Sequence, residues 1–324
     1  MSAAGGTSGA EGTEGAAPPA GGLPPFELVV VSYRSRGQIE GLLAGLPDDL
    51  PVCVVDNAGG VDGLEEIVKS RPHARYLDGG GAGFAHAANA GALTSPYEYV
   101  VFGNPDSRPS IEDYREVVRS VAADPACASA SATMVSPDGS VELGTAGWEP
   151  TLRRALVHAC GLHKVLPRAG LFARPRPHEL IRVDWTTGAC LAVRRDTFVA
   201  LGGFDERYYV YNEDVAFGRT VRERGMHQVL RTDVLVPHAS GGSGAPSAEM
   251  MRLRGASMAR YVSQHNSAAV ATPIRLALAL GYLTRVLQQL GKRDTARAGE
   301  HWAYVLGLLT QRARVGGRVV TDRA

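Results

Sequence analysis

Two runs, Glu27-Leu-Val-Val-Val-Ser-Tyr33 and Val52-Cys-Val-Val-Asp56, decide the fold. Each is a short, unbroken apolar stretch stopped by polar residues. Strands buried on both faces read this way, and such strands belong to parallel sheets. Helical spacing over residues 38–46 separates the two. The alternation then continues outward. Helices are predicted at residues 64–70, 84–93 and 111–123, with strands at 74–77 and 99–102. Strand and helix in strict succession predict an α/β chain with a doubly wound, mainly parallel sheet. In such sheets ligands bind beyond the carboxyl ends of the strands. Here those ends carry Ser32 and Tyr33, Asp56 and Asn57, the run Gly79-Gly-Gly-Ala-Gly83, then Asn104 and Asp106. That is the arrangement of a nucleotide site. The first strand is followed by Ser32-Tyr-Arg-Ser-Arg36, not by G-x-G-x-x-G, and there is no G-K-[ST] loop, which argues against a hydride-transferring Rossmann enzyme.

The chain has 324 residues, 44% of them hydrophobic, and a net charge of +1. That allows one large domain or two modest ones and gives no general case for nucleic acid as a partner. Charge is uneven. Residues 249–324 carry twelve Lys/Arg against four Asp/Glu, a net of +8, which leaves −7 for residues 1–248. Cys53, Cys127, Cys160 and Cys190 form no C-x-x-C pair, so they read as reduced core residues of a cytoplasmic protein. Residues 1–25 are rich in Gly, Ala, Pro, Ser and Thr and lack Lys and Arg, which predicts a disordered tail and no signal peptide. No segment reaches the ~20 apolar residues that span a bilayer; residues 276–284 come nearest, between Arg275 and Arg285.

Beyond residue 123, residues 126–135 read as a strand, Ser136-Pro-Asp-Gly139 as a turn, and residues 140–143 as a returning strand. Residues 151–176, rich in Arg, His and Pro, read as a connection that could form a flap over a site. Residues 190–193 are strand-like, and residues 226–236 give one or two strands ending at Pro237-His238. From Ser247 the chain is helical in two or three pieces, with Pro273 restarting one helix and Gly291 ending it. The expected division is a tail (1–25), a catalytic domain (26–245) and a helical region (246–324). Between strand and tail, Asn212 is placed to cap a helix whose first turn holds Glu213 and Asp214. The helix dipole favours negative charge there, so a carboxylate at this position suits a general base.

The motifs V-V-V-S-Y-R, V-V-D-N, G-F-A-H-A-A-N-A-G, F-G-N-P-D-S, W-T-T-G-A-C-L-A-V-R-R, G-G-F-D-E-R-Y-Y-V-Y-N-E-D-V and V-P-H-A-S-G-G-S follow one another across residues 28–244. In this order and spacing they resemble the inverting family-2 glycosyltransferases of GT-A fold. The closest look-alikes are bacterial rhamnosyltransferases and galactofuranosyltransferases. The resemblance implies a Rossmann-like sheet with a C-terminal helical extension. It implies that Ser32, Tyr33 and Asp56 hold base and ribose, and that Gly83, Phe84, Asn89 and Asn104 line the nucleotide cleft. Asp106 and His238 would ligate Mg²⁺ or Mn²⁺ on the donor diphosphate. Trp185, Gly188, Ala189 and Cys190 would shape the sugar and acceptor pocket. Asp214 would be the catalytic base, with Glu213 as the neighbouring candidate.

The implied donor is dTDP-L-rhamnose, or alternatively UDP-galactofuranose or another UDP-sugar; the implied acceptor is a glycan, a lipid-linked sugar or a small molecule. A non-catalytic sugar-nucleotide scaffold and a nucleotidyltransferase are the competing classes. The sequence departs from the family pattern at Gly81, where Asn is usual, at Ala216, where an acid is usual, and at Arg219, one place early. The C-terminal helices could dock on the catalytic domain, pair two subunits, or rest on the inner face of a membrane, with core or dimer packing favoured.

Overall fold

The computed structural model of the chain describes residues 24–174, 180–239 and 247–321. Most of the expected tail, the end of the 151–176 connection and the Ser-Gly-Gly-Ser run after His238 lie outside the described residues. Four strand–helix units come first: β1 (Phe26–Ser32), α1 (Arg36–Ala44), β2 (Val52–Asp56), α2 (Leu64–Ser70), β3 (Ala74–Asp78), α3 (Phe84–Leu93), β4 (Tyr99–Gly103) and α4 (Ile111–Ala123). There follow β5 (Cys127–Val135), β6 (Ala146–Gly147), α5 (Leu152–Ala159), 3-10 turns at Leu162–Lys164 and Pro167–Ala169, β7 (Leu180–Val183), β8 (Trp185–Thr186), β9 (Cys190–Arg194), α6 (Arg195–Ala200), α7 (Glu213–Glu223) and β10 (His227–Pro237). The chain ends in α8 (Ser247–His265), α9 (Ala268–Gly291), α10 (Thr295–Thr310) and a small hairpin, β11 (Arg314–Val315) with β12 (Arg318–Val319).

The main sheet has eight strands in the order β3-β2-β1-β4-β9-β5-β10-β7. β1 pairs in parallel with β2 and β4, and β5 with β10. β9 runs antiparallel between β4 and β5, and β7 closes the edge antiparallel to β10. Period-two alternation sorts the apolar runs onto two faces. Leu28 and Val30 join Ile39 and Leu42 of α1, Val68 of α2 and Val117 and Val118 of α4. Val29 joins Ala85, Ala88 and Ala92 of α3, Phe198 of α6 and Phe217 of α7. The small residues of α3 have a reason: a Cβ on Gly91 would come within 2.4 Å of Val29 Cγ1, so this helix lies close against the sheet. A third core joins Ala155 of α5, Trp185, Tyr208, and Val215 and Ala216 of α7 to residues of α8, α9 and α10.

Four local expectations change. Residues 140–143 make only a bridge, Val141 to Val135, because the Ser136–Ser140 turn closes tightly and the chain leaves after Glu142. The described part of the 151–176 connection is not a loose flap: Thr151 caps α5 through Arg154 N–H, and Ala155 and His158 bury against the C-terminal helices. Pro273 does not restart a helix. It lies inside α9, which begins five residues earlier. α9, at 24 residues and mean hydropathy 1.3, is long and apolar enough to cross a membrane, unlike the sequence expectation, although 33% of its most apolar window is buried within the protein.

Candidate active site

The carboxyl ends of β1, β2, β4 and β10 and the loop into α7 meet along one edge of the sheet. Ser32 and Asp56 end paired strands, and Asn57 N–H donates to Ser32 O at 2.8 Å. Asn57 Oδ1 accepts from Gly83 N–H at 3.2 Å, and Phe84 N–H donates to Tyr209 O at 2.7 Å. Gly83 has φ +106°, and a Cβ there would sit 2.3 Å from Tyr209 O, so only glycine lets the acidic loop lie over the start of α3. A Cβ on Gly188 would come within 3.1 Å of the Phe84 ring, and Asn104 N–H donates to Ala189 O at 3.2 Å. The nucleotide-cleft residues and the β8–β9 segment are thus joined through short contacts.

Asp106 and His238 come from positions 132 residues apart in sequence and meet, with Nε2 to Oδ1 at 3.1 Å. The chain is stitched there by a Ser107–His238 bridge and by Ala239 N–H to Asp106 O at 3.0 Å. Glu142 holds the other ring nitrogen, Nδ1 to Oε2 at 2.9 Å, and Asn104 Nδ2 lies 3.4 Å from Nε2. Burial alone would lower the imidazole, but Asp106 and Glu142 outweigh it and raise His238 to about 9. Among the described residues no group of three or more His, Cys, Asp or Glu is spaced to hold a metal. The pair nevertheless fits a Mg²⁺- or Mn²⁺-type ion that takes its remaining oxygens from a diphosphate. Neighbouring ligands on an octahedral ion at ~2.1 Å are ~3 Å apart. A carboxylate behind a histidine is the usual way to orient its metal-facing nitrogen.

The acidic pair opens α7. Asn212 occupies the cap position with φ +71° and makes no side-chain cap, its amide facing Met258 Sδ instead. The cap bond comes from Asp214 itself, whose Oδ1 accepts from Val215 N–H at 2.8 Å. Tyr211 also has a positive φ, +69°, which is a strained conformation for a bulky side chain. Arg254 of α8 covers the Tyr211 ring at 4.6 Å. Glu213 is buried with Oε2 unpartnered. Burial, then the Asp214 charge, push it well above the usual carboxylate range. Asp214 keeps a solvent-facing edge but is packed deeply enough that desolvation raises it to about 6, against the opposing pull of the Val215 N–H and Arg254. It is ionised at neutral pH, as the helix position suggested, but burial rather than the dipole sets its value.

Other expected site residues do different work. Asp56 is fully buried, and its oxygens accept from Ala58 N–H, Gly60 N–H and Tyr76 OH, which fixes the turn after β2. Asn89 is a clamp: Oδ1 accepts from Phe204 N–H at 2.9 Å and Nδ2 donates to Phe204 O at 2.8 Å. Ser32 is buried against Ser35 Oγ at 2.7 Å, while Tyr33 remains partly open. Trp185 packs in the third core and donates to Trp148 O, with 6% of its surface exposed. Cys190 is wholly buried in the first core, its thiol pushed up to about 12 by burial. Ala189 is also buried. Glu142 and Arg254 were not singled out from sequence. The Pro-Asp-Gly turn was the one available signal for Glu142, since it returns the chain beside the end of β5. A cavity of about 500 Å³ lies behind the acidic loop, lined in part by Arg207, Tyr208, Arg260 and Arg312, and none of the expected site residues lines it.

No family model matches the chain. Over 273 residues it is 29% identical to the N-acetylglucosaminyl-diphospho-decaprenol L-rhamnosyltransferase of Mycobacterium tuberculosis, covering 78% of this chain and 88% of that protein. Over 200 residues it is 25% identical to the rhamnosyltransferase WbbL of Escherichia coli, covering 58% of this chain and 73% of that one. Among solved structures it is similar to the mannosyltransferase PcManGT of Pyrobaculum calidifontis, solved with GDP-Man and Mn²⁺, at TM-score 0.57 and 16% identity over 91% of this chain and 89% of that one. The fold is therefore that of the GT-A glycosyltransferases, and the chain is a glycosyltransferase. Within that class its sequence likeness is to the rhamnosyltransferases, as the motifs indicated.

Proposed function

We propose that this chain transfers L-rhamnose from dTDP-L-rhamnose to an acceptor hydroxyl, with inversion at the anomeric carbon. Asp214 takes the hydroxyl proton. The acceptor oxygen bonds to the anomeric carbon as the bond from that carbon to the diphosphate oxygen breaks, and the nucleoside diphosphate leaves. Asp106 and His238 would hold the divalent ion. When bound, that ion neutralises charge on the leaving diphosphate. Tyr33, Gly83, Phe84 and Asn104 border the nucleotide, while Asp56 and Asn89 keep the loops around it in place. The observation that carries this reading is the meeting of Asp106 and His238 at 3.1 Å on the strand-end edge that also receives the acidic loop. The likeness to two rhamnosyltransferases supports the donor, and the substrate in the name of the Mycobacterium tuberculosis relative supports a lipid-diphosphate-linked sugar as acceptor. Such an acceptor would place the enzyme at the cytoplasmic face of a membrane.

The test is nucleoside diphosphate release from dTDP-L-rhamnose, UDP-galactofuranose and UDP-N-acetylglucosamine, with Mg²⁺, Mn²⁺ or chelator. Release from the dTDP sugar should dominate, need metal, and fall ~10²–10⁴-fold in Asp214→Asn. Turnover of a UDP-sugar in preference would replace the donor. Full activity in Asp214→Asn, or in chelator with Asp106→Ala, would remove the assigned roles.

A further inference from the structure

We infer that residues 151–169, a surface remote in sequence from the assigned catalytic residues, form a binding site for the phosphate of an anionic lipid headgroup in a bilayer. The segment exposes Leu156, Leu162, Val165 and Leu166, with Val165 73% exposed. The same segment also forms a cavity of about 310 Å³ lined by Thr151, Arg153, Arg154, Arg168 and Ala169. Three arginines therefore line one small cavity with no carboxylate in its wall. Residues 150–174 contain five Lys/Arg and no Asp or Glu. α9, on which α5 packs, has no acid either. Arg154 is tied down, donating to Arg168 O at 2.8 Å and Gly170 O at 2.9 Å and lying over Trp148 at 5.3 Å. The guanidinium groups of Arg153 and Arg168 make no hydrogen bond or ion pair among the described residues, and both side chains are exposed.

The segment is held firmly from behind. His158 is buried, stacks on His163 at 4.5 Å and meets Arg285 at 2.7 Å. A Cβ on Gly281 would come within 2.9 Å of Ala159 Cα, so α5 and α9 touch backbone to backbone. The apolar side chains therefore stand out from a fixed base and have no core to collapse into. Exposed apolar side chains on the same segment as an arginine-lined cavity, with no carboxylate in its wall, match an interfacial element: the apolar side chains enter the headgroup boundary while guanidinium groups pair with phosphate. A second copy of the chain is a poorer occupant, since a twofold contact would set these arginines against each other.

Flotation of the full chain with vesicles of phosphatidylcholine alone, or mixed with phosphatidylglycerol, tests this without any transfer assay. We expect binding to the anionic vesicles, weakened by salt, and little to the neutral ones. Arg153→Glu with Arg168→Glu should weaken binding on the order of tenfold or more. Val165→Asp with Leu166→Asp should do the same while leaving the thermal midpoint unchanged. Absence of vesicle binding by the unaltered chain overturns the proposal whatever the variants do. Calorimetric titration with inorganic phosphate separates the sources: tight binding of free phosphate, with vesicle binding intact in the leucine-face variant, would assign the cavity to a soluble anion. Loss of a dimer in Val165→Asp by velocity sedimentation, with vesicle binding unaltered, would hand the surface to a second copy. Donor turnover does not enter these measurements, so they can fail while the transfer reaction stands.

Discussion

Asp214 and Glu213 are adjacent carboxylates whose surroundings assign them different chemistry. Glu213 is enclosed with an unpartnered oxygen, and burial pushes it well above the usual carboxylate range, whereas Asp214 keeps one bonded oxygen and an open edge. Activity should therefore rise with pH through about 6, the value burial gives Asp214, as measured by kcat/KM. Glu213→Gln should retain most of that activity, since burial already disfavours the charged form of Glu213. A loss matching that of Asp214→Asn would make Glu213 the base. Stability moves the other way. Asp214 is raised on folding, so between its ordinary value near 4 and about 6 the folded chain holds more protons, and stability falls as pH rises through that window. Asp214→Asn removes this cost. It should match the unaltered chain near pH 4 and exceed it by roughly 2–3 kcal/mol above pH 6, read by denaturant titration at both pH values. Ala216, where the family pattern has an acid, has its reason at this scale too. It is buried in the core shared with Tyr261 and Val262, where an acid would be unpaired.

α7 carries the acidic pair, and its position depends on one glycine. A Cβ on Gly218 would sit 2.2 Å from Asp184 O and 3.1 Å from Trp185 Cα, so helix and β8 touch through backbone. Gly218→Ala should push α7 away, cost about 1–3 kcal/mol and lower kcat, because the displacement reaches Asp214 one turn earlier. Gly299 of α10 has no atom within 4 Å of its would-be Cβ and no positive φ. Gly299→Ala should instead stabilise by about 0.5–1 kcal/mol, chiefly by restricting the unfolded chain. Thermal melts of the two variants check the opposite signs; equal shifts would show that the α7–β8 contact yields freely. Elements like these differ in how far sequence discloses them. β2, α2, α3 and α4 were readable to the residue, because buried parallel strands are continuous apolar runs and the helices between them follow in strict succession. α5 was not, since the surface that orders it is α9, more than a hundred residues away. That Asp106 and His238 would meet, and that Asp214 would open a helix, was legible because their neighbours form motifs. Glu142 and Arg254 were not, since each is a lone charge brought to the site only by tertiary contact.

At the scale of the whole molecule, the helical extension and the sheet domain share one core. Trp185, Tyr208, Val215 and Ala216 belong to the same cluster as Tyr261, Val262, Ile274, Leu278 and Leu308. Glu149 adds a polar tie, accepting from Tyr261 OH at 2.8 Å and pairing with Arg219 and Arg222 of α7. Burying one such large side chain contributes ~1.5–3 kcal/mol, and the net stability of a domain is only ~5–15 kcal/mol. Removing α8–α10 would uncover several of these side chains at once, so the loss is comparable with everything that holds the remainder folded. A chain cut after residue 246 should therefore aggregate or bind a hydrophobic dye such as ANS, rather than persist as a folded catalytic domain. The intact chain should unfold in a single calorimetric transition, with calorimetric and van't Hoff enthalpies equal. Two resolved transitions, together with a soluble truncated chain that still releases nucleoside diphosphate, would mean that the shared cluster joins two bodies without coupling them. The base helix would then owe its position to β8 alone, and Gly218→Ala would abolish activity without affecting the melting of the extension.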